Sequence, residues 1–217
     1  MQPALVVFDL DGTLIDSAPD MHRAVNLMLA DLGCAPLTLP DIRTMVGDGA
    51  SALIARALAA RQCLTADPTK ALEQFLEHYE ADPTGATRTF PGVPETLERL
   101  QASGLTLAVC TNKPARLTQM ILERLGIDRY FVRVVSGDSM PFRKPDPRAL
   151  LEVLNGFATP KAATLMVGDS EVDAATADAA SVPFVLMTYG YHRGPIGEIS
   201  SIATLDHFRE LATLLHA

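Results

Sequence analysis

Two aspartates set the first constraint. Asp9 and Asp11 follow the apolar run 4–8, and Gly12, Thr13, Leu14, Ile15, Asp16 and Ser17 come next. Side chains alternate along a strand, so Asp9 and Asp11 should leave it on similar headings. Two carboxylates so placed repel each other and coexist only around a cation or a shared proton. A capping turn accounts well for Asp16 or Ser17. It accounts poorly for Asp9, which follows five apolar residues, because a buried, unpaired carboxylate is costly.

Three later segments repeat the theme. Cys110 is followed by Thr111, Asn112, Lys113 and Pro114. A hydroxyl and a following backbone amide ahead of a helix make a phosphate-sized anion site. Helix N-capping by Thr111 or Asn112 explains the same residues. Lys144 stands in the stiff stretch Arg143-Lys144-Pro145-Asp146-Pro147, where its ammonium offers a point charge to phosphate or simply faces solvent. The last segment is Val167-Gly168-Asp169-Ser170-Glu171-Val172-Asp173. Gly168 allows close backbone approach, and Asp169 and Asp173 can share one face of a helix start. Acids early in a helix also suit its dipole, which explains Glu171 and Asp173 better than Asp169.

Only certain elements bring these groups together. Short apolar runs at 4–8, 105–110, 131–135, 163–167 and 182–187 read as strands buried on both faces. Helical patterns over 94–102, 115–125, 147–154 and 172–180 lie between them. Strands alternating with helices predict a doubly wound, Rossmann-like parallel sheet covered on both faces. Residues 18–32, 40–46, 50–62 and 67–82 break the alternation, for all read as helices, with Asp67 and Pro68 as cap and first residue of the last. The expected architecture is an α/β core domain, 1–15 and 84–217, with a small all-helical cap domain, 16–83, inserted after the first strand. The loop 83–91 is its return hinge. Asp, Thr, Lys and Asp then lie at the carboxyl ends of four parallel strands, which converge on one crevice.

The remaining composition bounds the partners. The chain has 217 residues, 48 % of them apolar and 20 % charged, with a net charge of −8. That balance suits a soluble globular protein and opposes a general nucleic-acid or anionic-membrane binder. Cys34, Cys63 and Cys110 show no metal-like spacing. They are expected to be reduced thiols at a cytoplasmic address. The run 4–8 is too short for a signal peptide, and no run approaches the roughly 18 apolar residues of a membrane helix.

Read together, the four segments resemble the haloacid dehalogenase-like phosphatase superfamily over nearly the whole chain. Asp9-x-Asp11-Gly12-Thr13-Leu14 is similar to its first motif, Thr111 to its second, Lys144 to its third, and Gly168-Asp169-Ser170-x-x-Asp173 to its fourth. Within the superfamily, Asp16-Ser17-Ala18-Pro19, Val46-Gly47-Asp48-Gly49-Ala50 and Tyr189-Gly190-Tyr191 resemble phosphoglycolate phosphatases. Relatives often carry Ala-Gly after the fourth motif. This chain has Ala179-Ala180-Ser181, so a helix end is expected to lack its glycine cap.

The resemblance implies Asp9 as the nucleophile that becomes an aspartyl-phosphate, and Asp11 as general acid and then base. It implies Mg²⁺ on the Asp9 carboxylate, the Asp11 carbonyl and Asp169, with Asp173 bound through water or behind the ligands. Thr111, the Asn112 amide and Lys144 would hold the phosphoryl group. An aspartate at position 11 favours phosphoryl over halide chemistry, because an alkoxide needs a proton to leave. The implied substrate is a small phosphorylated metabolite, 2-phosphoglycolate foremost, handled by a monomer or homodimer without nucleic acid or membrane. Helix-start amides at Gly47, Asp48 and Gly49, with Arg43, are expected to meet the substrate carboxylate. Asp48 as a plain N-cap is the alternative. His22 is expected to be exposed or packed in the core. Other phosphatases of the superfamily, acting on a sugar phosphate such as N-acetylmuramate 6-phosphate or on pyrophosphate, share these motifs. A phospho-accepting signalling module shares an acidic pocket and a lysine, but its acceptor aspartate does not follow the first strand.

Overall fold

A computed structural model describes residues 3–63 and 65–217. Its centre is a six-stranded sheet of β1 (Leu5–Phe8), β4 (Thr106–Cys110), β5 (Arg133–Val135), β6 (Thr164–Gly168), β7 (Phe184–Met187) and β8 (Ala203–Leu205). The order is β5-β4-β1-β6-β7-β8, and every neighbouring pair is parallel. The predicted doubly wound core is therefore what the chain builds. β1 shows why its run is apolar throughout. Val6 and Phe8 enter the core on one face and Leu5 and Val7 the core on the other. Helices α5 (Val93–Ala102), α6 (Ala115–Arg124) and α9 (Glu210–Leu214) cover the first face. Helices α7 (Pro147–Leu154) and α8 (Glu171–Ala180) cover the second.

Helices α1 (Ala18–Asp31), α2 (Leu39–Met45), α3 (Ala50–Ala60) and α4 (Pro68–Ala81) form the insert after the first strand. Local chemistry sets their starts. Thr38 and Asp41 form a capping box on α2, and Asp67 accepts the Thr69 amide with Pro68 in the first turn of α4. Their apolar faces meet in a core that includes Met28, Ile54 and Phe75.

The crossings to and from the insert pair with each other, which the sequence did not reveal. β2 (Ile15–Asp16) and β3 (Arg88–Thr89) form an antiparallel ribbon. Buried Asp20 accepts hydrogen bonds from the Ala86 and Thr87 amides and the Thr87 hydroxyl, so the return loop is pinned to α1.

Three expectations are corrected. β8 was not anticipated, because a strand of three half-exposed residues carries almost no periodicity. The run 131–135 shortens to β5, because Asp128–Tyr130 is a 3₁₀ turn. Cys34 and Cys63 are not free thiols but a disulfide. They follow the ends of α1 and α3, which tertiary packing brings together across a 29-residue separation. Cys110 is free and buried.

Candidate active site

Strand register builds the site. Phe8 lies level with Val109 on one side and Val167 on the other, so the residues that follow all three emerge together. The Asp9 amide donates to Val167 O at 2.9 Å, and the Thr111 amide to Val135 O at 2.9 Å. The sheet order reverses about β1, the place where open α/β sheets hold ligands.

Asp9, Asp169 and Asp173 are buried and offer carboxylate oxygens within 4.8 Å of one another. Lys144, also buried, places Nζ 2.8 Å from Asp9 Oδ1 and 2.6 Å from Asp173 Oδ1. Asp169 accepts from the Thr13 hydroxyl at 2.6 Å and the Tyr191 amide at 2.6 Å. Its cradle explains two glycines. A Cβ on Gly12, whose φ is +89°, or on Gly190 would fall onto the Asp169 carboxylate. Asp173 does two jobs, capping α8 in a box with Ser170 while its other oxygen meets Lys144.

The electrostatics follow from burial. Asp9 is pushed up to about 7 by desolvation, against the pull of Lys144 and with the repulsion of Asp173. Asp169 is raised well above the carboxylate range by burial and then by Asp173 and Asp9. Burial alone would lower Lys144, but Asp173 and Asp9 hold it above its ordinary value. One buried ammonium thus faces two buried carboxylates, Asp9 and Asp173, with Asp169 in the same cluster. A set of three buried carboxylates with oxygens this close together fits a hard divalent cation.

Asp11 sits apart from this cluster. It accepts from the Ser17 hydroxyl and from Lys113 Nζ at 3.0 and 3.2 Å. Lys113 also donates to Tyr79 Oη at 2.8 Å. Asp9, Asp11, Thr111 and Asn112 line a cavity whose far wall comes from the insert, including Val46, Gly47, Gly49, Phe75 and Tyr79. The cavity volume is about 40 Å³, room for a few water molecules.

Several capping explanations fail. Ser17 begins α1 without a side-chain cap bond, since its hydroxyl is spent on Asp11. Pro114, not Thr111 or Asn112, occupies the N-cap of α6. Gly49, not Asp48, occupies that of α3. Asp48 turns from the cavity to Arg56 and Arg193. Gly47 and Gly49 line the cavity with φ of +118° and +91°, and a Cβ on Gly49 would stand 3.1 Å from Asn112 O. Arg43 is not at the cavity, for it pairs with Asp16 at 3.0 Å. His22 bonds Leu37 O at 2.9 Å, a packing role.

The sequence missed other residues. Lys113 belongs to the second segment, but nothing there showed that its side chain turns inward. Tyr79 read as one apolar position on a helix face. Asn112 contributes a side chain as well as an amide, bonding Gly47 O and Lys144 O at 2.9 Å each. Tyr191 Oη accepts the Ser17 and Ala18 amides and donates to Asp16, while Tyr189 bonds Thr13 O at 2.7 Å.

The model of the haloacid dehalogenase-like hydrolase family matches residues 6–187. The chain belongs to that family. A phosphoglycolate phosphatase of Cereibacter sphaeroides strain ATCC 17029 is 45 % identical, over 97 % of this chain and 96 % of its own. One of Rhodospirillum rubrum is 43 % identical, over 98 % and 91 %. The crystal structure of a predicted phosphoglycolate phosphatase from Haemophilus somnus 129PT superposes with a TM-score of 0.94 at 35 % identity, over 99 % of this chain and 98 % of that one. The chain is thus a haloacid dehalogenase-like hydrolase, phosphoglycolate phosphatase-like along its length.

Proposed function

We propose that this enzyme hydrolyses 2-phosphoglycolate to glycolate and phosphate with Mg²⁺ as cofactor. The observation that carries it is the cavity shared by Asp9 and Asp11, with Lys144, Asp169 and Asp173 behind it and the insert in front. The Asp9 carboxylate, the Asp11 carbonyl and Asp169 would hold the metal, with Asp173 behind them. When bound, the cation supplies charge neutralisation for the phosphoryl oxygens.

The residues then divide the work. Asp9 attacks phosphorus, forming an acyl-phosphate bond as the bond to the leaving oxygen breaks. Asp11 gives that oxygen its proton. It then takes a proton from the water that attacks the aspartyl-phosphate, releasing phosphate and restoring Asp9. Lys144, the Thr111 hydroxyl and the Asn112 amide hold the phosphoryl oxygens in line. The loop Gly47-Asp48-Gly49 closes the substrate end.

We divide the chain into a core, 1–15 and 84–217, and a cap, 16–83. We place it in the cytoplasm as a monomer or homodimer whose partner is a small phosphorylated metabolite rather than nucleic acid or membrane. Among the described residues no helix is long and apolar enough to cross a membrane.

A phosphate-release screen of phosphorylated metabolites tests the reading. Repeated turnover is expected, best on 2-phosphoglycolate and lost with chelator. Equal rates on sugar phosphates would defeat the substrate assignment, and a single round of labelling would defeat the reaction.

A further inference from the structure

Among the described residues lining the cavity, Lys113 is the only cation, and the reaction above gives it no task. Its side chain is 3 % exposed. Desolvating an ammonium is costly, and it persists only where anionic or dipolar partners meet it. Here the partners are Asp11 and the Tyr79 hydroxyl, with the Tyr79 ring 4.6 Å away. The neighbouring walls, Met21, Val46, Leu53, Phe75 and Leu117, are apolar.

Position separates this lysine from the other one. Lys144 stands on Asp9 and Asp173, at the phosphoryl end. Lys113 bonds Asp11, the residue assigned to the leaving oxygen. It therefore stands beside whatever that oxygen carries. In 2-phosphoglycolate the carboxylate carbon is two bonds from the leaving oxygen, so the carboxylate comes to Lys113 while phosphorus stays at Asp9. Tyr79 completes the pocket. Its hydroxyl accepts from Lys113, so its own proton is available to the same carboxylate, and burial keeps the phenol protonated.

We infer that Lys113, assisted by Tyr79, determines specificity by pairing with a carboxylate on the leaving group. This rests on 2-phosphoglycolate as substrate. The test compares kcat/KM on 2-phosphoglycolate and on ethyl phosphate, which has the same alkoxide leaving oxygen but no carboxylate, for the wild type and Lys113→Met. Both values are expected to fall in the variant. The loss on 2-phosphoglycolate should exceed the other by about 100-fold and sit mainly in KM, the size expected for removing one partner of a buried charge pair. Equal losses would overturn the inference and leave Lys113 only to position Asp11. The substrate reading fails separately, on the wild type alone, if 2-phosphoglycolate is not preferred over sugar phosphates; the inference then falls with it. Should Lys113→Met not fold, Tyr79→Phe removes one hydrogen bond and should shift the ratio the same way by about 3- to 10-fold. An unchanged ratio there overturns the inference too.

Discussion

At the residue scale, Asp9 and Asp11 meet different partners. Both leave one strand end, yet Asp9 joins the Asp169 and Asp173 cluster while Asp11 faces Ser17 and Lys113. Asp11→Asn should retain divalent-metal binding, followed by calorimetry, while kcat on 4-nitrophenyl phosphate falls by about 10²- to 10⁴-fold. An active variant would strip Asp11 of its proton-transfer role. Cysteine chemistry gives a second expectation. Burial pushes the Cys110 thiol up to about 12, so it carries almost no thiolate at pH 8, the form that alkylates. Its thiolate would appear only as pH rises through that value, whereas an unfolded thiol ionises well below it. Protein purified without reductant should take no label when native, one after denaturation at Cys110, and three after reduction; mass spectrometry counts them. Most of the acids were legible because a carboxylate directly after a buried strand is an expensive exception. Lys113 and Tyr79 were not, because a lysine on a turn and a tyrosine on an amphipathic helix are each ordinary until their neighbours are known.

At the element scale, helix ends show what local sequence can and cannot say. The capping boxes at Thr38 and Ser170 are local patterns and form as such. The other end of α8 is strained instead. Ser181 takes φ +58°, a conformation that glycine adopts freely, with its amide bonded to Asp178 O. An L-residue pays about 1–2 kcal/mol for that conformation. Ser181→Gly should therefore stabilise the fold by about 1 kcal/mol and raise Tm by about 2–4 °C, as thermal denaturation would show; a lower Tm would mean that the serine side chain earns its place. The four inner strands were readable from their continuous apolar runs. β2, β3 and β8 were not, because two or three residues cannot show a period and their pairing partners lie far along the chain.

At the scale of the whole molecule, core and insert meet through a few polar contacts around the cavity. Arg193, in the loop after β7, donates to Val46 O at 2.8 Å and to the Asp48 carboxylate at 2.5 Å. Asn112 reaches Gly47 O from the other side. The Arg193 side chain is 35 % exposed, so solvent screens it and its worth is small. Arg193→Ala should raise KM for 2-phosphoglycolate by about threefold with kcat little changed. An unchanged KM would show that this contact does not help hold the insert over the site. The sequence by itself determined the parallel α/β core, the helical insert and the four acid-, hydroxyl- and lysine-bearing strand ends, because buried strands must be apolar and their polar ends stand out against them. Only the tertiary structure decided what lies opposite those ends. Strand register levels Phe8 with Val109 and Val167, so Asp9, Thr111 and Asp169 emerge at one edge of the sheet, the ribbon of β2 and β3 carries the insert over them, and Lys113, Tyr79 and the Cys34–Cys63 pair acquire partners from distant segments. Those contacts are set by packing between elements, which no local spacing of residues records.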